Sequence, residues 1–85
     1  MRAPIRVVGY WLGTKVYESD GYLSADYAHS VAQRLVGKDG TLESRRQRPQ
    51  CTSAYVWLPN AAYDDYVVIR HDCEDRWVPD PWDAE

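Results

Sequence analysis

Apolar positions along this 85-residue chain fall into short runs with β-type composition and one stretch with helical spacing. The first run, Ile5 to Leu12, is Ile-Arg-Val-Val-Gly-Tyr-Trp-Leu, rich in β-formers and of strand length. Gly13-Thr14 follows as a two-residue turn with glycine first, the type II′ pattern. Lys15 to Glu18 would then return as a second strand, and Asp20-Gly21 marks a break.

Helical periodicity begins after Ser24. Ala25, Tyr27, Ala28, Val31, Ala32, Leu35 and Val36 share one face of about 200° at 100° per residue. Asp26, Ser30, Gln33 and Arg34 fill the opposite side. The ends carry matching signals: Ser24 as N-cap, Asp26 at the positive end, Arg34 at the negative end and Gly37 at the C′ position. An amphipathic helix of about 12 residues is predicted, and its alanines allow close approach to a sheet.

Lys38-Asp39-Gly40 turns the chain. Thr41 to Arg46 is expected to be a poor strand, grading into an exposed basic loop from Arg45 to Pro49. Thr52 to Leu58 and Tyr66 to Asp72 are stronger strands, predicted to form an antiparallel hairpin. Both of its faces carry apolar residues, Tyr55, Trp57, Val67 and Ile69 on one and Val56, Leu58, Tyr66 and Val68 on the other. From Glu74 onward the two prolines, Pro79 and Pro81, favour an extended conformation. The expected architecture is therefore α+β: a mostly antiparallel sheet in the order β-β-α-(β)-β-β with the helix on one face. Residues 1–75 form the single domain and residues 76–85 an extended acidic tail.

Composition adds three points. The aromatic residues are four Trp and seven Tyr with no Phe, which suits half-wet sheet faces and partner surfaces. Eight Arg against two Lys fits a GC-rich genome, actinobacterial or that of a phage infecting such a host. No continuous apolar stretch reaches the roughly 18–20 residues that span a membrane, and the segment after Met1 lacks a cleavage site, so a cytoplasmic protein without membrane association is expected.

The cysteines and histidines are the candidates for chemistry. With the hairpin turn centred on Ala62, Cys51 faces Cys73, Tyr55 faces Ile69 and Trp57 faces Val67. Facing cysteines lie within disulfide reach, although a reducing cytosol favours a thiol pair. The same register sets His71 beside both cysteines, with Ser53 opposite it and His29 reaching over from the helix. No CxxC knuckle accompanies them, so no metal is expected. A Cys-His nucleophile oriented by Asp72 fails because adjacent strand residues point to opposite faces. There is no phosphate-binding Gly-rich loop, HExxH or GxSxG, and no cofactor or enzymatic activity is expected.

The net charge of −3 is unevenly spread. Arg45, Arg46 and Arg48 concentrate positive charge, whereas residues 64–85 carry eight of the thirteen carboxylates. The first functional expectation is a small non-enzymatic module that binds a larger host protein through an acidic, aromatic surface. That surface comprises Asp64, Asp65, Trp77, Asp80, Trp82 and Asp83. The alternative is a nucleic-acid-binding module, with Arg45, Arg46 and Arg48 beside Tyr55 and Trp57 as stacking platforms. A homodimer through an exposed strand edge is a further expectation.

Overall fold

The structure is a computed structural model that describes residues 4–60 and 65–78. Four strands, β1 (Ile5–Trp11), β2 (Thr14–Tyr22), β3 (Ser53–Asn60) and β4 (Asp65–Asp72), form one antiparallel sheet in the order β2-β1-β3-β4. One main helix, α1 (Ala25–Leu35), packs on it. A short helix, α2 (Leu42–Arg46), and a 3-10 turn at Asp75–Trp77 complete the described residues. The small α+β architecture is the one the hydrophobic pattern predicts.

The β1–β2 connection turns one residue earlier than expected. Leu12 (φ 48°) and Gly13 (φ 86°) both have positive φ, and Trp11 pairs with Thr14 across them. This is the type I′ geometry, whose twist matches that of the strands. Asp20-Gly21 does not end β2 but forms a bulge within it, opposite the Ile5–Val7 step, and a second irregularity falls between Gly9 and Tyr10.

Helix α1 has the termini its sequence specifies. The Ser24 side chain accepts a hydrogen bond from the Tyr27 N–H at 3.1 Å. At the other end Gly37 (φ 72°) lets the Lys38 N–H reach the Gln33 carbonyl and its own N–H reach Arg34, a Schellman closure. Ala28 and Ala32 are fully buried and let the helix sit close to β1 and β3. Tyr27 departs from the expected buried face: it is exposed and packs its ring beside Tyr22 at the helix flank.

Thr41 to Arg46 is helical, not a strand. Thr41 is an N-cap whose hydroxyl accepts from the Ser44 N–H, Glu43 occupies the first turn, and Arg45 and Arg46 occupy the last. These placements complement the helix dipole, an arrangement that outweighs weak β propensity over so few residues.

Between α1 and the sheet lies a core of Val7, Ala28, Ala32, Leu35, Val36, Cys51, Ala54, Val56 and Cys73. Val7, Ala54 and Val56 therefore point to the helix side, and alternation sends Arg6, Val8, Tyr10, Ser53, Tyr55 and Trp57 to the other. No element among the described residues covers that second face.

The β3–β4 hairpin differs from its expected register by one residue. Ser53 pairs with Asp72, Ala54 with His71, Tyr55 with Arg70, Val56 with Ile69 and Trp57 with Val68. A one-residue slip exchanges the faces of a strand. It therefore removes the expected pairs Tyr55–Ile69, Trp57–Val67 and Cys51–Cys73. The Cys73 N–H instead donates to the Thr52 carbonyl, and both cysteines are free and buried.

Candidate interaction face

The uncovered sheet face is aromatic and continuous across three strands. Tyr10 on β1 meets Tyr55 on β3 edge-to-face, with ring centroids 5.6 Å apart. Trp57 on β3 meets Tyr66 on β4 in the same manner at 5.7 Å. Val8 lies between these pairs in the ladder and is buried, although it is not part of the core beneath α1. Val68 extends the surface onto β4 opposite Trp57 and is 41 % exposed. The alternation of β1, β3 and β4 thus turns Tyr and Trp outward while Val and Ala fill the core.

This face holds an open concavity of about 840 Å³, whose walls include Tyr10, Tyr55, Trp57, Val68, Arg70 and Asp72. Thr52 fixes one end. Its hydroxyl donates to the Tyr10 carbonyl at 3.1 Å and accepts from the Leu12 N–H at 2.9 Å, tying the β1–β2 turn to β3.

Charges on the face are largely engaged. Arg70 Nε lies 2.7 Å from Asp72 Oδ1, and the guanidinium stands 5.7 Å above the Tyr55 ring. The Asp72 carboxylate raises the Arg70 pKa further. Lys15 and Glu18 form an ion pair at 2.7 Å on β2, and Glu74 and Arg76 form another just beyond β4.

The residues singled out in the sequence are distributed unevenly over this geometry. Tyr55 and Trp57 lie on the open face. Arg45 and Arg46 lie on α2, where the Arg45 carbonyl accepts a hydrogen bond from Arg76. Arg48 stacks 3.9 Å over Trp11, which by alternation points to the α1 side of β1. The cation standing over Tyr55 is Arg70, and the three arginines are not among the residues that line the concavity. Asp65 begins β4, and its carboxylate accepts from the Tyr66 N–H at 2.7 Å. Trp77 is half-buried against the core. Asp64, Asp80, Trp82 and Asp83 lie outside the described residues.

His71 also changes place. It faces Ala54 rather than Ser53, and its Nε2 lies 2.9 Å from His29 Nδ1 on α1. Burial, with the adjacent His29, pushes the His71 pKa below its ordinary value. Burial pushes both thiols up, the opposite of activation toward nucleophilic or metal-ligating thiolates. Among the described residues, no three His, Cys, Asp or Glu side chains group to hold a metal ion, and no helix is long and apolar enough to cross a membrane.

No known protein family, curated protein or solved structure matches this chain. The surface chemistry of the domain therefore carries the functional argument.

Proposed function

We propose that this chain is a small non-enzymatic protein-binding module whose contact surface is the open sheet face. The observation that carries this reading is the run of Tyr10, Tyr55, Trp57, Tyr66 and Val68 across a face that no element among the described residues covers. Tyr and Trp are the residues that anchor protein interfaces. They contribute large contact areas with few rotatable bonds and keep a polar atom available for a partner. The ion pairs Arg70–Asp72 and Lys15–Glu18 suit the rim of such a patch, where charges set orientation and specificity more than affinity.

The same pairing weighs against the nucleic-acid alternative. A strand tracked through its phosphates needs cations free to replace counterions, whereas Arg70 and Lys15 already have carboxylate partners and Arg6 alone among the described cations of this face stands outside an ion pair. Arg48 is stacked on Trp11, and none of Arg45, Arg46 and Arg48 is among the residues lining the concavity.

The test is affinity capture from lysate with and without nuclease treatment, using three proteins: wild type, Tyr55→Ser plus Trp57→Ser, and Arg45→Glu plus Arg46→Glu. Circular dichroism would establish that each variant is folded. The proposal expects a protein partner retained by wild type and the α2 variant and lost with the open-face variant. Loss with the α2 variant alone, or binding abolished by nuclease, would transfer the function to the arginines.

A further inference from the structure

Among the described residues the sheet has two edge strands, β2 and β4, and they differ in kind. At one edge, β2 is interrupted by two irregularities and carries Lys15, Glu18 and Asp20, the devices by which natural sheets blunt an edge against pairing. At the other, β4 runs eight residues in unbroken register with β3 and carries Tyr66-Val67-Val68-Ile69 at its centre. Helix α1 packs on β1 and β3 and reaches β4 through His29 and His71; among the described residues no element covers Val67 and Ile69, which are 47 % and 36 % exposed on the helix side. On the open side Val68 is exposed as well. Such an edge is apolar on both faces and has no bulge or proline.

The hydrogen-bond phase of β4 fixes which of its groups are unpaired at the edge. The Cys73 N–H points to β3, donating to Thr52. By alternation His71, Ile69 and Val67 also direct their backbone groups inward, and Tyr66, Val68 and Arg70 direct theirs outward. Tyr66 follows this phase, since its N–H turns away from β3 to the Asp65 carboxylate, a bond that pairing at the edge would displace.

We propose that β4 pairs with β4 of a second copy, antiparallel about a two-fold axis at Val68, joining the two four-stranded sheets into one. In that register Val68 exchanges backbone hydrogen bonds with the second copy's Val68, and Tyr66 does so with its Arg70. Outward-directed groups thus meet outward-directed groups. The side chains are complementary on both faces. On the open side Tyr66 stands opposite an arginine, a cation–π pairing. On the helix side Val67 stands opposite Ile69, and Asp65 stands opposite His71. Each pair occurs twice because the interface is isologous. This self-complementarity favours a second copy over an unrelated strand. The axis is normal to the sheet, so the two open faces become continuous and remain available. The interface takes Tyr66 and Val68 from the border of the open face proposed above as the contact surface, and its test by sedimentation needs no other partner.

Sedimentation of the full chain over a concentration series tests this directly, with Val68→Lys as the disrupting variant. The expected result is a reversible dimer that Val68→Lys weakens more than about tenfold, since it sets like charges opposite each other. A second pair of variants keeps the test decisive if Val68→Lys misfolds. Val68→Cys should form a covalent dimer on mild oxidation, because residues directly opposite lie within disulfide range. Arg70→Cys should not, because its copies are four residues out of register. Both native thiols are buried and contribute no background. A monomer at every concentration, a dimer indifferent to Val68→Lys, or cross-linking through Arg70→Cys would each overturn the proposal. A monomer that instead accepts a foreign strand at β4 would overturn the choice of a second copy.

Discussion

His29 Nδ1 on α1 and His71 Nε2 on β4 stand 2.9 Å apart, a direct hydrogen bond between the helix and the sheet edge. The bond requires one ring nitrogen to donate and the other to accept, so protonating the accepting nitrogen breaks it. Burial, reinforced by His29, depresses the His71 pKa in the folded state. The unfolded chain therefore binds more protons between that depressed value and the ordinary histidine value of about 6.5. This contribution to stability is complete above about pH 6.5 and is lost as pH falls through the folded pKa of His71. Urea denaturation across this range should show stability falling with acidification. His71→Gln should flatten that dependence and cost about 1 kcal/mol at neutral pH for the altered bond. An unchanged pH profile in the variant would refute the assignment.

Gly9 is required by its neighbour rather than by its backbone. A β-carbon added there would lie 2.5 Å from Cys51 Sγ and 3.2 Å from the Tyr17 β-carbon. Cys51 is fully buried and has no room to yield. Gly9→Ala should destabilise the domain by about 1–3 kcal/mol through overpacking. Cys51→Ala removes the obstructing sulfur, so the double variant should recover part of that loss. A double-mutant cycle in denaturant would measure the coupling; additive effects would contradict the contact.

The two thiols should be inert in the native protein. Cys51 and Cys73 are 0 % and 3 % exposed, and burial raises both pKa values. Modification by a thiol reagent should follow the opening of the domain and speed up sharply in denaturant. Rapid native-state labelling, or an intramolecular disulfide in the folded protein, would contradict this placement.

Ser24 closes the first turn of α1 through the Tyr27 N–H. Ser24→Ala should cost about 1 kcal/mol, and Ser24→Asp should preserve most of the cap. Equilibrium unfolding of both variants checks the assignment, and equal losses would argue against a capping role.

What the sequence made legible follows from how strongly each segment was constrained. Helix α1 was readable because Ser24, the Ala-rich face and Gly37 all require the same structure. The β3–β4 hairpin was readable in position but not in register. Val67 and Ile69 are as apolar as Tyr66 and Val68, so alternation could not select a face. The pairing of Asn60 with Asp65 encloses four residues rather than an odd number centred on Ala62. That single step takes Cys51 and Cys73 out of cross-strand register and brings His71 within hydrogen-bond reach of His29 on α1. Thr41–Arg46 reads as a poor strand because its helix signals, Thr41 and Glu43 ahead of Arg45 and Arg46, span barely one turn. The aromatic face was half visible. Tyr55 and Trp57 were recognised as surface candidates, but only the register with Arg70 and Val68 shows their cation already paired and their platform extended onto β4.

The central claim is that the open sheet face is where a partner binds. Hydroxyl-radical footprinting of the captured complex tests it most directly, with oxidation compared between free and bound protein at Tyr10, Tyr55, Trp57 and the exposed Tyr27 on α1. Protection of Tyr10, Tyr55 and Trp57 with Tyr27 unchanged is the predicted result. Protection confined to Tyr27 and α1, with the open-face rings as reactive as in the free protein, would contradict it.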